Sequence, residues 1–130
     1  MRIKRLLFFW FAGFALVYVT NILAVTAWTL FSYNNIFLMI GMMNAPLIYL
    51  LFGWLYFRGG FAAQVSDRLK VAIVWIMLDF LGGMALLAIL DGVSPSDMFT
   101  TASYLIETVN FFAILVAGYV ALKRKTIISE

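Results

Sequence analysis

Four long apolar stretches run along this chain, each long enough to cross a bilayer, with short polar or glycine-rich breaks between them. The first, from about Leu6 to Phe31, carries no charge and no proline. It outruns the roughly 20 residues that a hydrocarbon core of about 30 Å requires, so the pattern predicts a helix over 6–31 that tilts or projects. Ser32-Tyr33-Asn34-Asn35 reads as a turn into a second helix over 36–57. Pro46 lies inside that helix, removes a backbone donor and crowds the preceding turn, which predicts a kink between Met42 and Pro46. Gly59 and Gly60 end the span, Phe61 to Val65 is expected to lie along the interface, and Ser66 is the expected cap of a third helix over 69–90. Asp91-Gly92 closes it. Ser94-Pro95-Ser96-Asp97 then reads as a cap, a first-turn proline and an acidic residue three positions after the cap, opening a fourth helix over 98–122. The whole chain, 1–130, is thus expected to be a single four-helix transmembrane domain, with no internal repeat.

Charge gives these spans a direction. All 9 Lys and Arg residues fall into three clusters: Arg2, Lys4 and Arg5; Arg58, Arg68 and Lys70; Lys123, Arg124 and Lys125. Two apolar spans separate each cluster from the next. An up-down-up-down bundle therefore carries every cluster on one side, and retention of positive charge makes that side cytoplasmic, with N-in and C-in termini. The opposite side holds only Ser32 to Asn35 and Asp91 to Asp97. The expected compartment is a prokaryotic plasma (inner) membrane. A signal peptide is the competing reading of the first span, with Arg2 to Arg5 as its basic region and Val25-Thr26-Ala27 as a cleavage site. The apolar run is too long for that, and it passes directly through a turn into the next span.

Composition narrows the class of function. The chain is 65% hydrophobic and 12% charged, with mean hydropathy +1.04, whereas soluble domains are about 45–50% apolar. The formal charge of +3 would suggest nucleic acid in a soluble protein. Here the basic residues flank apolar spans, so anionic lipid head groups are the expected counter-charge and nucleic acid is not an expected partner. With no Cys and no His, disulfides, thiol chemistry and the common zinc and haem sites are excluded, and no cofactor or metal is expected.

Two acidic side chains, Asp79 and Glu107, lie inside the spans. A carboxyl at that depth costs several kcal/mol unless it is paired, neutral or facing water, which makes each a candidate functional group. Counting inward from Arg5, Arg58, Lys70 and Lys123 places Asn21, Asn44, Gly83, Asn110 and Glu107 in one layer about 5 Å thick. Asp79 falls level with Tyr49, whose hydroxyl is a potential donor to it. Ser103, Glu107 and Asn110 recur at i, i+4 and i+7 and share a face of the fourth span. The candidate intramembrane polar site is therefore Asp79, Glu107, Asn44, Asn110, Asn21 and Tyr49, the Asn residues serving at least as interhelical hydrogen-bond partners. Small residues at four-residue spacing, Ala113, Ala117 and Ala121 on span four and Gly41 and Ala45 on span two, predict close helix contacts within the bundle or a homo-oligomer seam. No nucleophile has a base beside it, and two carboxyls alone are a poor divalent-metal site, so catalysis is not expected.

In size and span number the chain resembles small multidrug resistance transporters and dual-topology fluoride channels. Both work as antiparallel pairs, which requires weak charge bias, and the first span carries Asn21 where the former family has a membrane glutamate. A four-span family that flips polyprenyl-linked sugars has a similar layout, but its motif after the second span is poorly matched by Phe52-Gly53-Trp54-Leu55-Tyr56-Phe57-Arg58. Trp54-Leu55-Tyr56-Phe57-Arg58, Arg68-Leu69-Lys70 and Leu78-Asp79-Phe80-Leu81 resemble a group of small four-span prokaryotic membrane proteins without an assigned function. That resemblance covers spans two and three and implies a fold and a compartment rather than an activity. The expected role is structural or accessory, through contacts with lipid, another membrane protein or a second copy. The alternative is a small proton- or solute-coupled carrier built on Asp79 and Glu107.

Overall fold

The computed structural model describes residues 2–59, 64–90, 92 and 94–128. Apolar runs without helix breakers form α1 (Ile3–Leu30), α2 (Asn35–Phe57), α3 (Val65–Leu90) and α4 (Thr101–Ile128), and Pro95–Met98 forms a 3₁₀ turn before α4. Each of the four helices is long and apolar enough to span a membrane. At 1.5 Å per residue, the 28 residues of α1 extend about 42 Å, beyond a hydrocarbon core of about 30 Å. Their large apolar side chains face outward: Phe8 is 67% exposed, Met77 60% and Ile89 79%. Only a lipid environment accepts such a surface at low cost.

The helix ends follow local chemistry. At the first turn Ser32 and Tyr33 adopt φ of 56° and 60°, reversing the chain within a few residues. The Asn34 side chain then accepts from the Ile36 N–H at 3.1 Å and caps α2. Asn35 therefore belongs to the helix rather than to the turn. Helix α2 is continuous through Pro46. Helix α3 begins at Val65, four residues before the expected Leu69, because the Gln64 carbonyl accepts from the Asp67 and Arg68 N–H groups. Ser66 is thus inside the helix and is not its cap. Of the expected interfacial segment, residues 61–63 lie outside the described residues and Val65 is already helical.

The start of span four also differs from expectation. Ser94 makes no side-chain capping bond, and the proline-led turn stops at Phe99, whose φ of −82° and ψ of 68° leave the helical region. Phe99 stacks against Phe80 of α3, with ring centroids 6.0 Å apart, and lies 6.3 Å from Tyr104. This docking diverts the chain before α4 begins. The true cap is Thr100, whose Oγ1 accepts from the Ser103 N–H at 3.2 Å.

Helices α1 and α2 pack antiparallel, tied at one end by the Arg5 guanidinium donating to the Leu55 carbonyl at 2.8 Å. At the other end they close at Gly41, where an added methyl would sit 2.9 Å from the Ala24 Cβ. Helix α2 packs along α4 where Gly53 meets Ala117 and Ile114, and α1 along α3 where Phe14 meets Gly82. The small residues Gly41, Ala45, Gly53, Ala117 and Ala121 are all buried within the bundle.

The core is one-sided. Leu6, Tyr49, Tyr56, Phe57, Val71, Ala72, Trp75, Ile114, Ala117 and Ala121 form one buried cluster. These residues come from the first turns of α1 and α3 and the later turns of α2 and α4. The bundle is therefore tightly filled at the end that holds the start of α1, and cavities separate its helices toward the Ser32 and Ser94 turns.

Candidate functional site

Where the filled half gives way to the open half, all four helices line one cavity of about 210 Å³. Asn21 from α1, Tyr49 from α2, Asp79 from α3, and Glu107 and Asn110 from α4 all reach it, with Gly83 and Ser103. Five of the six expected polar residues thus meet at one place. Asn44 does not: it is half-buried, does not line the cavity, and makes no hydrogen bond among the described residues. The wall facing the cavity on α2 is set by Ala45 and Tyr49. Asn44 precedes Ala45 by one residue, about 100° around the helix, so correct depth leaves it with the wrong direction.

Asp79 is 5% exposed. Its Oδ1 accepts a hydrogen bond from the Trp10 Nε1–H at 2.7 Å, a short contact across 69 positions of sequence. Trp10 is therefore a donor to the carboxyl that depth counting did not supply, beside the expected Tyr49, whose hydroxyl also interacts with Asp79. The Trp10 ring is in turn stacked on Phe14, with centroids 5.3 Å apart, and Phe14 packs on Gly82. Gly82 lets this aromatic pair approach α3, since a Cβ there would lie 3.0 Å from the Phe14 Cζ. The Tyr49 hydroxyl lies within electrostatic reach of both carboxyls, and Tyr49 packs edge-on against Trp75 at 5.9 Å. Asp79 Oδ2 has no hydrogen-bond partner of standard geometry among the described residues.

On α4, the Asn110 Nδ2–H donates to Glu107 Oε2 at 3.4 Å, across the i, i+3 spacing of one face. Asn110 is 2% exposed, and its Oδ1 has no partner. The Ser103 hydroxyl, at the cavity edge, is shared with Thr100 at 2.9 Å. Thr20 turns its hydroxyl back to the Leu16 and Val17 carbonyls of its own helix and contributes nothing to the site.

Two further cavities adjoin this one. One, of about 380 Å³, lies between α1 and α2 and is bounded by Asn21, Val25, Leu38, Met42, Ala45 and Ile106. The other, of about 180 Å³, lies between α1 and α3, beside Phe14, Val17, Tyr18, Gly83 and Leu87. Asn21 borders all three cavities. Pro46, lacking an N–H, leaves the Met42 carbonyl without its helical donor beside the larger one.

Among the described residues no group of three acidic side chains gathers as a metal-ligand set. The arrangement is a pair of carboxyls in electrostatic contact with each other, each held by one neutral N–H donor, at an unfilled space inside a bundle. Such a pair can take up and release a proton or a cation. Compared with family models, curated proteins and solved structures, the chain has no match.

Proposed function

We propose that this chain is a multi-pass protein of a prokaryotic plasma membrane that exchanges protons for a cationic solute at Asp79 and Glu107. The observation that carries the reading is the cavity of about 210 Å³ on which both carboxyls converge at the boundary between a filled and an open half. A purely structural pair of carboxyls would be expected in a filled core, where each oxygen has a partner. The orientation follows from the charge clusters, all of which flank helix ends at one side: an up-down-up-down bundle with both termini cytoplasmic opens its cavities outward. Anionic lipid head groups are the partners of the basic clusters.

A structural or accessory role, through lipid, a partner protein or a second copy, is the competing reading. Its observation is the extent of apolar surface, including the groove between α2 and α4 lined by Leu47, Leu51, Trp54, Val116 and Val120. Charge displacement on a solid-supported membrane separates the two. With reconstituted protein, a proton-concentration jump should give a transient current that Asp79→Asn abolishes and Glu107→Gln reduces. A wild-type trace identical to that of protein-free liposomes rejects the carrier reading.

A further inference from the structure

The hydrogen-bonding groups at the cavity are unbalanced. The two unpartnered buried atoms there, Asp79 Oδ2 and Asn110 Oδ1, are both acceptors. The donors turned toward the carboxyls, Trp10 Nε1, Asn110 Nδ2 and the Tyr49 hydroxyl, are already engaged with Asp79 and Glu107. Among the described residues no Lys or Arg lines the space. Leaving a buried acceptor unmade is costly, so the site calls for a ligand that donates and carries positive charge.

The walls select among such ligands. Phe14, Phe80, Val17, Ala45 and Ile106 make most of the rest of the lining, a poor surrounding for a hard metal ion that wants six or more oxygens. It is a good one for an alkyl chain, with rings available to the cationic head. The adjoining cavity of about 380 Å³ continues this apolar surface past Leu38 and Met42. Met42 and Val25 are exposed on the outside of the bundle, so this cavity also opens sideways between α1 and α2, toward the Ser32 turn. Together the two cavities fall in the roughly 300–1,000 Å³ range of ligand pockets.

We propose that the cavity binds a protonated primary alkylamine, whose ammonium N–H groups donate to Asp79 Oδ2 and Asn110 Oδ1 while its chain lies in the larger neighbouring cavity. This deepens the carrier reading by naming the substrate class, and it rests on that reading for its cellular meaning. The requirement for N–H groups is the distinguishing feature. A quaternary ammonium of equal chain length carries the same charge and tail but has no donor.

The test is calorimetric titration of the full-length protein in nanodiscs, with lipid-only nanodiscs subtracted, using octylamine and octyltrimethylammonium as probes. Octylamine should bind saturably, and the quaternary probe at least about tenfold more weakly, the equivalent of one lost charged hydrogen bond. Asp79→Asn should weaken octylamine by at least a similar factor and the quaternary probe less, because both lose the countercharge but only the amine also loses a hydrogen bond. Equal binding of the two probes by the wild type overturns the proposal, as does wild-type affinity in a folded Asp79→Asn variant. The wild-type comparison decides the matter even if the variant does not fold. Proton-jump currents without discrimination between the probes would reject the amine class and leave the carrier reading standing. Discrimination without currents would reject the carrier reading and leave the binding site.

Discussion

Replacing Trp10 with Phe removes one N–H and little else. The phenyl ring can keep the stacked contact with Phe14, whereas Asp79 loses the 2.7 Å bond that is its one hydrogen bond of standard geometry. A buried acceptor stripped of its donor costs about 1–3 kcal/mol in soluble proteins. Interhelical hydrogen bonds in membranes average about 0.6 kcal/mol and reach about 1.7. Asp79 belongs near the top of the membrane range, because its second oxygen is already unpartnered and its exposure is 5%. The expected loss is about 1–2 kcal/mol. Asp79→Leu in the wild-type background should also destabilise, since it leaves the indole N–H unpaired. In the Trp10→Phe background the same change should cost less by about 1 kcal/mol, because no indole N–H remains to be orphaned. The assay is reversible unfolding in mixed detergent micelles followed by helical circular dichroism, with the four proteins forming a double-mutant cycle. Additivity within about 0.3–0.5 kcal/mol would show that the pair contributes nothing and would refute the reasoning.

Two glycines should respond differently to the same methyl group. Gly41→Ala meets the Ala24 Cβ at 2.9 Å, a neighbour with no freedom to turn away, and should cost about 1–3 kcal/mol. Gly118→Ala meets chiefly the flexible Arg68 side chain, at 2.8 Å from its Cδ, and the gain in helix propensity of about 1 kcal/mol should offset most of the cost; equal destabilisation in the same micelle assay would contradict the packing described. Reporter fusions at Asn34 and Ser94 should report the outside and a fusion at Gln64 the inside, and an outside signal at Gln64 would reverse the orientation.

Helix number and the bounds of α2 were legible because hydrophobic runs and turn residues are local signals. The later start of α4 was not, since it depends on Phe99 finding Phe80 and Tyr104 across the bundle. Ser103, Glu107 and Asn110 could be assigned to a common face because three residues on one helix define an angle as well as a depth. Asn44 offered depth alone, and the angle excluded it. Trp10 was overlooked for a related reason: counting backbone depth ignores the reach of an indole, and Trp10 and Asp79 differ by about one turn in that count. The signal that could have found it was chemical, a buried carboxyl needing a donor and a donor-only side chain within reach on a neighbouring span. The filled and open halves leave no trace in hydrophobic patterning, because lipid-facing and cavity-facing side chains are equally apolar.

The central claim is that solvent and ligand reach the space between Asp79 and Glu107, and the absence of native cysteine makes it directly measurable. Single cysteines at Gly83 and Ser103, which line the cavity, should react with a small membrane-impermeant charged thiol reagent added from the outside. Cysteines at Ala72 and Ala117, both 0% exposed in the filled half, should not, and one at lipid-facing Met77 should be similarly slow. Labelling at Gly83 and Ser103 at least about tenfold faster than at these controls is the predicted result. Rates at Gly83 and Ser103 indistinguishable from those at Ala72 and Ala117 would mean a dry, closed core and would contradict the account.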